Sequence, residues 1–148
     1  MSLKRWTLCL LRGHRWARTP YPGSEGRSAL ASGDWALARA RFEQAALLTT
    51  SGEALDGLAQ ALFSEGDYEG ALRTTEQAYA AFRAQGDDAR AAMCARFVSY
   101  LYWVMHGDGA AMSGWMARAV RLVEAAGDVP ERARIELTRA TVLSLIHI

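Results

Sequence analysis

Residues that could carry chemistry are few in this 148-residue chain, and they are scattered. Cys9 and Cys94 stand far apart with no ligand-type neighbours. A zinc site or a redox pair needs thiols two to four residues apart, or close to imidazoles, so neither is indicated. Cys94 falls in an apolar helical run and reads as a small buried hydrophobe, not a reactive thiol. His106 precedes Gly107 at a predicted helix end, where an imidazole suits the negative pole of the helix dipole. Asp34, Asp67 and Asp108 each follow a Gly and open a helical pattern, which makes them helix caps before metal ligands. There is no phosphate loop, no His-Glu-x-x-His and no nucleophile elbow, and Gly13 and Gly23 to Gly26 do not form a dinucleotide fingerprint. The expectation is a protein that is not an enzyme and uses neither cofactor nor metal.

The elements around these residues are organised by a stretch that occurs twice. Gly33-Asp34-Trp35-Ala36-Leu37-Ala38, followed by Phe42 and Ala45, aligns with Gly66-Asp67-Tyr68-Glu69-Gly70-Ala71, followed by Ala78. The offset is constant, which marks a repeat. In each copy the Gly ends one helix, the Asp caps the next, and the Ala residues let two helix backbones approach closely. Apolar spacing predicts helices at about 25–32, 35–48, 53–64, 68–85, 88–105 and 110–126, with another beginning at Glu131. The fold class is therefore all-α: a right-handed stack of three antiparallel helix hairpins and an unpaired fourth first helix. Leu58 and Leu62, Tyr68, Trp115 and Ala119 join the residues above as the packing positions, with Tyr68 at the hairpin core.

Roughly half of the residues are apolar, yet no run approaches the roughly 20 needed to span a bilayer, so no membrane partner is expected. Ala is the commonest residue, Gly and Arg are heavily used and Lys4 is the only lysine, usage that points to a GC-rich bacterial coding sequence. Five of the 17 basic residues, Lys4, Arg5, Arg12, Arg15 and Arg18, precede residue 19. The rest of the chain carries 12 basic against 16 acidic residues, a poor surface for nucleic acid.

Three regions follow. Residues 1–23 read as a disordered basic leader outside the repeat, the alternative being a basic arm for nucleic acid or anionic lipid. Their apolar run, Trp6 to Leu11, is too short for a signal peptide, which together with the two unpaired cysteines predicts a cytoplasmic setting. Thr19 to Gly23 should break any helix before the first hairpin. Residues 24–142 form the repeat domain. Leu143-Ser144-Leu145-Ile146-His147-Ile148 departs from the preceding usage and reads as the translation of a transposon-end sequencing adapter, leaving a truncated piece of a longer protein.

The Gly-Asp-aromatic, Ala, aromatic, Ala series resembles the tetratricopeptide repeat, with departures at Thr75, where a large aromatic is usual, and at Met112, where a small Ala is usual. Gly26 to Leu30 leading into Gly33-Asp34-Trp35, with Glu53 to Ala59, Phe82 to Asp87 and Gly114 to Ala119, is similar to the amino-terminal helical-repeat region of LuxR-type transcriptional regulators. That likeness implies a helix-turn-helix domain beyond this stretch. It also implies that the first helix of each hairpin lines a concave groove. Glu53, Asp56, Gln60, Phe97, Leu101 and Val104 are thereby nominated to bind a protein or peptide partner. Carboxylates mixed with apolar side chains suit a basic or amphipathic segment. The implied function is a non-catalytic interaction or ligand-sensing scaffold of a transcriptional regulator. The alternatives are a regulatory array of a multidomain enzyme such as a nucleotide cyclase or kinase, and a stand-alone adaptor.

Overall fold

A computed structural model describes residues 21–146, with side chains to Thr141. The leader residues 1–20, and with them Cys9, lie outside the described residues, as do His147 and Ile148. The described residues are all-helical: α1 Pro22–Ser32, α2 Trp35–Leu48, α3 Gly52–Glu65, α4 Tyr68–Gln85, α5 Asp88–His106, α6 Gly109–Ala126 and α7 Glu131–Ile146.

The Gly-Asp pairs set most of the boundaries. At Gly66 the backbone turns into the left-handed region, φ 88°, which only glycine enters without strain, and its N–H bonds back to α3 carbonyls. One residue later Asp67 Oδ1 accepts the Gly70 N–H at 2.8 Å and caps α4. Gly33-Asp34, Gly86-Asp87 and Gly107-Asp108 repeat the device, so two residues suffice to stop one helix and start its neighbour. Between α2 and α3 the cap is Ser51, whose Oγ accepts the Ala54 N–H. Asp67→Ala is expected to destabilise the chain by about 1 kcal/mol, the usual cost of losing a cap, measured as a shift in urea midpoint at unchanged slope.

Two boundaries differ from expectation. Pro22 does not break the chain but occupies the first turn of α1, where its missing N–H has no helical partner to lose. At the other end α7 continues to Ile146, through residues set aside on sequence, because Val142 to Ile146 contains no helix breaker.

Each helix packs chiefly on its neighbours in sequence, with further contact between α1 and α3 and between α5 and α7. Side-chain pairs give the directions. Glu25 meets Arg41 and Arg39 meets Glu65, so α1, α2 and α3 alternate. Arg83 bonds Asp88 and Glu76 meets Tyr102, so α4 and α5 are antiparallel as well. Across α3 and α5, by contrast, Glu53 pairs with Arg90, Asp56 meets Cys94 and Phe63 meets Phe97, with numbers rising together. Those two helices run parallel.

The expected small positions are buried: Ala38, Ala45, Ala71, Ala78 and Ala119 are all fully inaccessible, and Leu62 nearly so. Met112 is buried too, despite its size. Aromatics depart from expectation. Trp35 and Tyr68 are 39% and 47% exposed, because each stands at the first position of its helix, beside the junction and not between helices. Leu58 and Trp115 are half-buried. Phe42 and Phe82 hold the core instead, each 1% exposed. Phe42 is closed in by glycines, since a Cβ on Gly26 would lie 2.8 Å from its ring and one on Gly57 closer still. Gly52 stands in the same relation to Phe82.

Candidate functional site

The parallel pair α3 and α5 diverges enough to leave a cleft of about 500 Å³ between them. Asp56, Gln60 and Phe63 line it from α3, Arg90, Arg96 and Phe97 from α5, and Arg134 of α7 stands at its rim. The pairing of Glu53 with Arg90 bridges the two helices at their first turns. At the far end Phe63 meets Phe97 edge-on, ring centres 5.3 Å apart, and Tyr100 stacks against Phe97. A smaller hollow next to it, towards α1, shares Asp56, Gln60 and Arg90 and adds Glu53.

Four of the six nominated groove residues, Glu53, Asp56, Gln60 and Phe97, therefore line these hollows. Leu101 does not: it is fully buried in a cluster with Leu62, Leu72 and Val98, and so belongs to the core. Val104 is 55% exposed and lies beyond the cleft. With Phe97 opposite Phe63, the last two turns of α5 extend past Glu65, where α3 ends, and have no facing helix. The four aromatics of α5 divide accordingly. Phe97 faces the cleft, Tyr102 donates to Glu76 on α4, and Tyr100 and Trp103 remain nearly half exposed.

The carboxylates are less available than their sequence positions imply. Glu53 is held by Arg90, which Asp87 also pairs at 3.0 Å. Asp56 accepts from Gln60 Nε2 at 2.8 Å and from the Cys94 thiol. Burial raises the Asp56 carboxyl above the ordinary carboxylate range, with Gln60 and Arg90 pulling the other way. Burial also pushes the Cys94 thiol up, reinforced by Asp56, so the thiolate does not form and the cysteine stays inert.

Since the folded chain holds the Asp56 proton more tightly than the unfolded chain, this group favours folding at low pH. That contribution fades as pH rises through its folded pKa. Asp56→Asn, which cannot ionise, should therefore gain stability relative to the native chain on going from pH 4 to pH 7. Urea melts at the two pH values decide it, and a relative loss at pH 7 would show that Arg90 outweighs burial.

The positive residues were not nominated from the sequence. Arg90, Met93 and Phe97 fall at helical spacing and mark the cleft face of α5, but only the offset between α3 and α5 shows which helix they face. Arg134 comes from a helix far along the chain. His106 is in the last turn of α5, 3.6 Å from Glu69. Among the described residues no group of three or more His, Cys, Asp or Glu could hold a metal ion, and no helix is long and apolar enough to cross a membrane. No protein-family model matches this chain, and no curated protein does either.

Proposed function

We propose that this chain is a non-catalytic scaffold, a right-handed stack of tetratricopeptide-like hairpins that holds a partner or ligand in the cleft between its first helices. The single observation that carries the reading is the parallel run of α3 and α5 with a ligand-sized hollow between them, lined by Asp56, Gln60 and Phe97. Hairpins stacked in register bring alternate helices parallel and concentrate their side chains on one concave face. By resemblance, the scaffold is the sensing or interaction region of a LuxR-type transcriptional regulator whose helix-turn-helix domain lies elsewhere in the parent protein.

The uninterrupted coding sequence beyond Thr141 tests this directly. A helix-turn-helix domain supports the regulator; a cyclase or kinase domain would replace it with a regulatory array on an enzyme; and a stop soon after would favour an adaptor. The scaffold itself should not touch DNA, because residues 24–142 contain 12 basic and 16 acidic residues and offer no concentrated positive surface. In a low-salt gel shift, residues 24–142 should leave a short duplex unretarded at micromolar protein. Retention there, weakening steeply with salt, would overturn the separation of sensing from DNA contact.

A further inference from the structure

The charges of the cleft do not balance. Among the described residues Asp56 is the single carboxylate on its lining, against Arg90, Arg96 and Arg134. Arg90 is accounted for by Glu53 and Asp87. Arg96 and Arg134 form no ion pair among the described residues, and the Arg96 Nε is solvent-inaccessible without a hydrogen-bond partner. A buried guanidinium N–H left unmade is costly, and native structures rarely keep one without a reason. Both guanidinium groups line the same hollow, where burial, and after it the charge of Arg134, lowers the pKa of Arg96. Two like charges facing one hollow from α5 and α7, neither of them in an ion pair among the described residues, form half of a site. The missing half is an anion.

Guanidinium groups present planar pairs of donors matched to the oxygens of carboxylates and phosphates. Beside them Phe63, Phe97 and Phe82 supply an apolar wall. The volume, about 500 Å³, falls within the range of sites for small organic molecules. We propose that the cleft between α3 and α5 binds a small organic oxyanion, a carboxylate or phosphate ester on an aromatic or apolar body, with Arg96 and Arg134 as its anion ligands. The inference rests on the reading of this cleft as the ligand-holding groove and changes its expected occupant. The resemblance suggests a basic or amphipathic segment for Glu53 and Asp56; with Glu53 paired to Arg90 and Asp56 hydrogen-bonded to Gln60 and Cys94, the free charge is positive.

The test is an amide chemical-shift titration of the full chain with three probes sharing one ring: benzoate, phenyl phosphate and benzyl alcohol. Saturable shifts confined to α3, α5 and α7 are expected with at least one of the two oxyanions, and the tighter of the pair identifies the headgroup. Arg134→Gln should weaken that binding about tenfold or more, the usual effect of deleting a charged hydrogen-bonding partner. Because Arg134 is exposed, the variant should fold as the native chain does, and Arg96→Gln, checked by its melting curve, should act in the same direction. Equal binding of benzyl alcohol would overturn the anion site while leaving a ligand-holding cleft. Absence of saturable shifts with both oxyanions at millimolar concentration, or binding undiminished in Arg134→Gln, would also overturn it; in neither case is the scaffold reading decided.

Discussion

Phe42→Ala is expected to cost about 3–5 kcal/mol, a large part of the roughly 5–15 kcal/mol that holds a domain together. Phe42 is 1% exposed and fills the space between α1 and α3 from its place on α2. Its removal opens a void bordered by Gly26 and Gly57, which have no side chains to fill it. Phe82→Ala should behave similarly, since that ring is equally buried over Gly52. The comparison is Tyr68→Ala. Tyr68 is 47% exposed and touches Phe63 at a ring-centre distance of 5.3 Å, so its truncation should cost only about 1 kcal/mol. Urea denaturation of the three variants gives the ranking. A Tyr68→Ala loss as large as that of Phe42→Ala would place the hairpin core at the junction aromatics after all.

Gly57→Ala is the second large effect, and its sign should depend on Phe42. In the native background the added Cβ would collide with the Phe42 ring, which cannot swing aside because Gly26 lies against it in the same way. Overpacking of this kind costs about 1–3 kcal/mol, even though alanine is the better helix former. In Phe42→Ala the ring is gone, and the same substitution should stabilise by about 0.5–1 kcal/mol through helix propensity alone. A four-variant cycle measures the coupling. Simple additivity would mean that the glycine serves something other than close approach of the ring.

The contrast between these residues explains what the sequence reveals and what it hides. Gly66-Asp67 encodes both halves of a junction in two residues, and with the device repeated along the chain every expected helix boundary except the start of α1 falls within a residue of the periodic pattern. Ala71 and Ala78 are recognisable because backbone approach tolerates little else. Tyr68 and Phe42 look alike in sequence, but being first in a helix turns one ring outward while a mid-helix position turns the other inward. The cleft is partly legible for the same reason of locality. Asp56, Gln60 and Phe97 are nominated by the resemblance, which puts the first helix of each hairpin on a groove. The displacement of Leu101 into the core and the approach of Arg134 depend on how far α5 overshoots α3 and on where α7 crosses, distances that no local pattern contains. Availability of charge is likewise a tertiary property: Glu53 is free in the sequence and paired in the fold.

In the proposed stack each unit is held only by its neighbours, and the cleft is built from successive first helices. Native-state hydrogen exchange tests it most directly. If the stack is quasi-one-dimensional, protection should be highest in α3, α4 and α5, which are covered on both sides, and lower in α1 and in residues 131–141 of α7, which open separately at lower free energy. Protection of residues 131–141 equal to that of residues 55–82, with every helix opening in one global step, would contradict the stack and with it the derivation of the cleft.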